Sequence, residues 1–276
     1  MNEIDFNRDK LEKIIFPRNL NYNLKAPRSK YFHIYPKRAI QNYLPAVLNY
    51  YQKKTPPKFL EIGCGTGAIA FAYNLYFSEE KLDENQFVGI DINKSSIDFL
   101  SKNYPNSFLF HHHDTLQDRN YVDKNNFAKT PSTLATSDGS ECEYNIGFKF
   151  DCDLQWSSSV FTHLTPQACE KAINFISNNS KKDCIFFNTF LIIDNQSMSS
   201  MRMGYSDREL KYDFGDFLTY DKENPLVCSA YKLDFILELY KNAGMEIIDI
   251  QKGEWRGEGI RNDFFHYQDV IISRKL

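Results

Sequence analysis

Short apolar runs alternate with longer amphipathic stretches along most of this chain. Phe59, Leu60 and Ile62 form one short run, and the segment Ala68 to Phe77, free of Pro and Gly, reads as a helix behind it. Phe87-Val88-Gly89-Ile90 predicts a second strand, Ser95 to Asn103 a second helix, and Ser107-Phe108-Leu109-Phe110 a third strand. A fourth strand is expected at about Phe150 to Trp156, a helix from Pro166 to about Ile176, and a fifth strand from Cys184 to Leu191. A helix from Lys232 to Asn242, stopped by Gly244, precedes strands near Glu246 to Ile250 and Asp269 to Arg274. Strands that alternate with helices in this way predict a doubly wound α/β sheet, mostly parallel, with the last two strands paired as an antiparallel hairpin.

Three segments fall outside that alternation. Residues 1–57 precede the first strand and include a basic, aromatic stretch with Lys25, Arg28, Lys30, Tyr31, Phe32, His33, Tyr35, Lys37 and Arg38. They are expected to form an N-terminal helical cap or substrate segment, with residues 58–276 as the main domain. Residues 115–149, rich in Asn, Asp, Ser and Thr, read as an inserted surface loop. Residues 195–229 carry Met198, Met201, Arg202, Met203, Tyr205, Tyr212, Phe214, Phe217 and Tyr220. A connection of that length and aromatic content reads either as a lid that binds substrate or as a helical cap that buries its own rings.

The densest chemical signal is Glu61-Ile62-Gly63-Cys64-Gly65-Thr66-Gly67, placed between the first strand and the first helix. Glycines there let the backbone turn and pass close under a ligand. The dinucleotide fingerprint is nominally met by Gly63, Gly65 and Ala68, so the glycines alone do not choose between cofactors. Glu61, the extra glycine at Gly67, and Asp91 closing the second strand do. This arrangement resembles motif I and the following acidic position of class I S-adenosylmethionine-dependent methyltransferases. The resemblance implies a Rossmann-like sheet of seven strands whose seventh lies between the fifth and sixth, with S-adenosylmethionine as cofactor. It also implies that Gly63, Cys64, Gly65 and Gly67 underlie the methionine part, that Asp91 and the adjoining Ile92 meet the ribose, and that Asp114 stands near the adenine. Ser157 and Ser158, after the fourth strand, would border the cofactor's methionine end. Ser-Val-Phe-Thr-His-Leu at 159–164, with Tyr267-Gln268-Asp269-Val270, is similar to a bacterial subgroup associated with sugars and surface glycans.

Chemistry supports the acidic positions independently. A carboxylate at Asp91 can accept two hydrogen bonds from a vicinal diol, and Glu61 adds negative potential suited to a sulfonium and an ammonium rather than to a pyrophosphate. The plain alternative is that these are strand-end acids beside a tight turn.

Composition limits the partners. A formal charge of −3 on 276 residues argues against general nucleic-acid affinity, although the basic stretch at 25–38 leaves a local anionic partner open. No stretch has the length of an apolar membrane span, and Met1-Asn2-Glu3-Ile4-Asp5 lacks the features of a signal peptide. Six cysteines without Cys-x-x-Cys spacing read as reduced thiols, so a cytoplasmic location is expected. A metal reading of His111-His112-His113 meets the difficulty that alternate strand residues face opposite ways, and zinc normally takes three or four protein ligands.

His163, past the fourth strand, is the first candidate for a general base, with the alternative that it only supports its loop; His266 is the second. Tyr205, Tyr212 and Arg202 are the candidate acceptor contacts. The expected reaction is methyl transfer to a hydroxyl of a sugar, glycan or other small polar acceptor. An N-methyltransferase of protein or RNA, and a partner subunit that binds the cofactor without turning it over, stay open. The Asn/Asp-Pro-Pro-Tyr/Phe signature of many amino-group methyltransferases is absent after the fourth strand, where Ser157-Ser158-Ser159 stands.

Overall fold

The computed structural model describes residues 34–113, 147, 149–257 and 259–276. Asp114, the greater part of the 115–149 insertion and most of the basic N-terminal stretch lie outside the described residues.

A seven-stranded sheet forms the centre. In chain order its first five strands are β1 (Phe59–Ile62), β2 (Phe87–Asp91), β3 (Phe108–His112), β4 (Cys152–Ser157) and β5 (Ser180–Phe190). Four short strands follow: β6 (Ile192–Ile193), β7 (Tyr212–Asp213), β8 (Phe217–Thr219) and β9 (Ala230–Lys232). The hairpin β10 (Met245–Gln251) and β11 (Asp269–Lys275) completes the main sheet, whose order is β10-β11-β5-β4-β1-β2-β3. Strands β1 to β5 pair in parallel, while β11 runs antiparallel to both β5 and β10. The expected doubly wound sheet is therefore present, with its last strand between the fifth and the hairpin partner.

Alternation along the strands decides which face each side chain covers. Phe59, Phe87, Phe108, Leu154, Trp156 and Phe187 join one buried cluster. Over it lie α1, which runs from Ile34–Arg38 through a π-helical turn, Ala39–Tyr43, into Leu44–Leu48, and then α2 (Ala68–Tyr76) and α3 (Lys94–Asn103). Leu60, Ile62, Val88, Ile90, Phe186, Phe190 and Ile271 face the other way, under α4 (Pro166–Asn178) and α6 (Leu233–Asn242). Strands buried on both faces explain why their sequences read as nearly continuous apolar runs.

The 195–229 segment is neither a bare loop nor purely helical. It opens with α5 (Asn195–Arg202), capped by Asp194, whose carboxylate accepts from the Ser197 amide while the Ser197 hydroxyl accepts from the Asp194 amide. It then contributes β7 and β8 to a second sheet of order β6-β9-β8-β7. Leu191, Ile193, Leu210, Leu218, Ala230 and Trp255 form a separate small core for this cap. These strands are two or three residues long, too short for a periodic signal in the sequence.

Arg256 joins the cap to the hairpin. Its fully buried guanidinium donates to Asp269 from Nε at 2.7 Å and to both Asp194 oxygens from Nη1 at 2.8 and 2.9 Å. Asp269 also accepts from the Trp255 indole, the Gly253 amide and the Ile192 amide. A buried ion pair held by so many donors meets the condition under which such a pair is tolerated. No helix among the described residues is long and apolar enough to cross a membrane.

Candidate functional site

Open α/β sheets bind ligands beyond the carboxyl ends of their strands, where the strand order reverses. Here that point lies between β1 and β4, and the glycine loop rises from it. The amides of Gly63 and Cys64 both donate to the Ile90 carbonyl, at 2.8 and 3.0 Å, and the Gly67 amide donates to the Cys64 carbonyl at 2.7 Å. The Gly65 amide donates to Asp91 Oδ2 at 2.6 Å. Four loop amides are thus satisfied within the protein, which leaves them poorly placed to cradle a pyrophosphate. Gly67 has φ +80°, and a Cβ there would stand 2.7 Å from the Leu100 side chain. At Gly65, φ +51°, a Cβ would meet no atom within 4 Å, so the loop borders open space on that side.

Two buried acids line this bowl. Asp91 accepts from Gly65 and, through Oδ1 at 2.8 Å, from the Asn93 amide, with the Ile92 amide a weaker third donor, yet a carboxylate has about four lone-pair sites and keeps accepting capacity. Burial pushes its carboxyl up, opposed by those amides and by His112. Glu61 is 4% exposed, and its Oε2 has no hydrogen-bond partner among the described residues. Burial, followed by the charge of Asp91, drives its carboxyl well above the ordinary range. An orphaned, buried carboxylate oxygen beside a second acid is costly unless a cation or a proton arrives to meet it. Together with the space at Gly65, this chemistry fits the ammonium, sulfonium and ribose diol of S-adenosylmethionine.

The other expected cofactor contacts are distributed unevenly. The Cys64 thiol is buried, 3.1 Å from where a Cβ on Gly89 would stand, so only its backbone faces the loop. Ile92 is half-buried, and its carbonyl lies 3.1 Å from His112 Nε2. Ser157 is fully buried, its hydroxyl without a partner among the described residues, in register with Ile62 on β1 and Asn188 on β5. Ser158 turns instead toward His266, with Oγ 2.8 Å from Nε2.

The two candidate bases differ in tautomer. His266 Nδ1 accepts from the Gln268 amide at 3.0 Å, so the neutral ring carries its proton on Nε2 and donates it to Ser158. Burial lowers its pKa to about 4. His266 therefore has no lone pair left for a substrate proton. His163 Nδ1 lies 3.0 Å from the Leu226 carbonyl, which can only accept, and this places its lone pair on Nε2. Burial lowers its pKa also. The turn that carries His163 is stitched to the cap, since the Ser229 amide donates to the Thr162 carbonyl and the Tyr231 hydroxyl to the Leu164 carbonyl.

Gln268 and Thr189 fix the loop after β4. The Thr189 hydroxyl donates to Gln268 Oε1 at 2.7 Å and accepts from the Ser159 amide at 2.8 Å, and Ser159 is held at φ +58°. Tyr43 on α1 stacks on Trp156 at 5.3 Å and lies 5.5 Å from the His266 ring. These supporting residues escaped the sequence reading except for Gln268, noticed only as part of a motif. Tyr205, Tyr212 and Arg202 are exposed on the cap, with Tyr205 67% accessible.

No protein-family model matches the chain. Among solved structures, the magnesium protoporphyrin IX methyltransferase of Synechocystis with bound SAH is similar over 98% of this chain and 98% of its own, at 12% identity and a TM-score of 0.51. A SAM-dependent methyltransferase of Methanosarcina mazei matches 84% of this chain and 97% of its own, at 18% identity and a TM-score of 0.47. The first likeness establishes a shared fold, the Rossmann-like methyltransferase architecture.

Proposed function

We propose that this chain is an S-adenosylmethionine-dependent methyltransferase acting on a hydroxyl of a sugar or another small polar acceptor. The observation that carries this reading is the Oε2 of Glu61, buried close to Asp91 just before the glycine loop with no hydrogen-bond partner among the described residues. S-adenosylmethionine would supply a methyl group already activated on a sulfonium. Asp91 accepts the ribose hydroxyls through its remaining lone pairs, and Glu61 provides the counter-charge for the cationic end. Ser158 takes the His266 proton donor on its oxygen, so its own hydroxyl hydrogen is directed away from His266 toward a ligand.

The protein's main contribution is to hold donor and acceptor close and in line, with proton removal second. His163 is the proposed base, because His266 has its lone pair committed to Gln268. Tyr205, Tyr212 and Arg202 of the cap are the proposed acceptor contacts. Exposed rings at Tyr205, Tyr212, Phe214 and Tyr220 support a ligand with flat, partly apolar faces, such as a sugar. Calorimetry with S-adenosylmethionine, S-adenosylhomocysteine and NAD tests the cofactor reading: the first two bind and NAD does not. Labelled methyl transfer to nucleotide sugars and glycans tests the acceptor, and binding without transfer to any acceptor would favour a non-catalytic subunit.

A further inference from the structure

A groove of about 450 Å³ runs between α1 and the loop before β11, apart from the glycine loop. Gln41 and Asn42 of α1, with Asn49 and Tyr50 at its C-terminal end, line it together with Asp263 and Phe265 of the loop. The volume is in the range of small-ligand sites. Gln41 and Asn49 are exposed and Asn42 is half-buried.

Phe265 is the unusual member. Its ring is 48% exposed, and its backbone stands at φ +51°, a region that non-glycine residues seldom occupy. The loop alternates around it: Phe264 is buried against Trp156, His266 holds Ser158, and Phe265 faces outward between them. Its amide donates to the Asn262 carbonyl, which helps hold the turn. Such outliers persist where the surroundings over-determine them, and they concentrate at binding sites. Tyr50, edge-on against Phe187 at 5.3 Å, is the second ring lining the groove.

Charge narrows the ligand. No lysine or arginine lines the groove among its described residues, and Asp263 lies on its wall. Burial, and then the charges of Asp249 and Asp263, push the Tyr50 hydroxyl up, so two acids act on this end of the groove. Phosphates and other anions are disfavoured. Asp263 receives Gln251 Nε2 on Oδ2 at 2.8 Å, which orients the carboxylate while Oδ1 keeps accepting capacity.

We propose that this groove binds an uncharged saccharide, with Phe265 as the stacking surface and Gln41, Asn42, Asn49 and Asp263 as hydrogen-bonding groups for its hydroxyls. Amide side chains offer both donors and acceptors, and a carboxylate accepts from paired hydroxyls, which matches a polyol better than it matches a planar base or an anion. The proposal concerns binding alone and does not require methyl transfer.

The test is calorimetric titration of the full chain with chitotetraose, maltotetraose and cellotetraose, and with uridine monophosphate as the anionic control. At least one tetrasaccharide should bind, and the nucleotide should not. Phe265→Asn removes the ring while keeping a residue that tolerates positive φ, and it should weaken binding about ten-fold or more. Asn42→Leu with Asn49→Leu, on the exposed side of α1, should have a similar effect without touching the 262–268 loop. S-adenosylhomocysteine affinity serves as the check that each variant is folded. Absence of binding by all three saccharides, an unchanged affinity in both variants, or preferential binding of the nucleotide would overturn the proposal.

Discussion

The amide of Gly65 donates to Asp91 Oδ2 over 2.6 Å, so the glycine loop and the end of β2 are braced by the same carboxylate proposed to hold the ribose. Asp91→Ala should therefore do two things at once. It removes a charged acceptor from the cofactor, a loss of roughly 1.5–3 kcal/mol in affinity for S-adenosylhomocysteine. It also frees the Gly65 and Asn93 amides, which lowers the melting temperature of the ligand-free protein. Calorimetry and thermal denaturation read the two effects separately, and unchanged affinity in a folded variant would refute the assignment.

The role proposed for Glu61 predicts that cofactor binding depends on pH. Its carboxyl is driven well above the ordinary range by burial and then by Asp91 in the free protein, so it holds its proton to higher pH than an exposed glutamate does. A cation beside Oε2 favours the ionised form, and binding then releases that proton. Apparent affinity should accordingly rise with pH and level off once Glu61 is ionised in the free protein. Glu61→Gln should flatten the profile and reduce affinity at the plateau; a parallel slope in the variant would assign the proton to another group.

For His163, the expected result of substitution by Ala is a roughly 10²–10⁴-fold slower methyl transfer with cofactor affinity nearly unchanged. His266→Ala should instead leave the limb of the pH–rate profile in place while lowering the rate, because it acts by orienting Ser158. If His163→Ala lowers thermal stability and cofactor affinity in step with rate, His163 is a support for the joint with the cap, through Leu226, and not a base.

His266 also predicts a stability change with pH. Its folded pKa of about 4 lies below its ordinary value of 6.5, so the unfolded chain binds the extra proton first. The stabilisation is complete above about pH 6.5 and is lost as pH falls toward about 4. Denaturant titrations across that window should show a shallower decline for His266→Gln, compared with the parent protein.

Arg256→Met should be among the most damaging single changes, costing about 3–5 kcal/mol, because it leaves Asp269 buried without its partner. Arg256→Lys should not rescue it, since three different guanidinium nitrogens are in use. Tyr205→Ala with Tyr212→Ala, by contrast, changes exposed side chains and should leave stability within about 0.5 kcal/mol per site while raising the acceptor KM.

What could be read from the sequence followed from repetition along the chain. The strands from Phe59 to Phe190 are buried on both sides, so their apolar runs stand out, and the glycine loop and Asp91 are adjacent enough to form a pattern. Strands β6 to β9 were invisible because each is too short for alternation, and their pairing joins residues as distant as Ile192 and Tyr231. Arg256 could not be found for a different reason: a lone arginine near a turn reads as surface charge until Asp194 and Asp269 are brought to it. The tautomers of His163 and His266 depend on the Leu226 carbonyl and the Gln268 amide, which no spacing rule identifies.

The Arg256 junction also bears on how this protein can be rebuilt. Because Asp194 caps the first helix of the cap and Asp269 begins the final strand, a chimaera that grafts residues 194–232 onto another sheet would carry an acid whose cation, Arg256, stays behind in the parent chain. Exchange of acceptor specificity with related folds should therefore succeed only when the Gly253–Asp269 segment travels with the cap, which makes these two stretches, distant in sequence, a single heritable part.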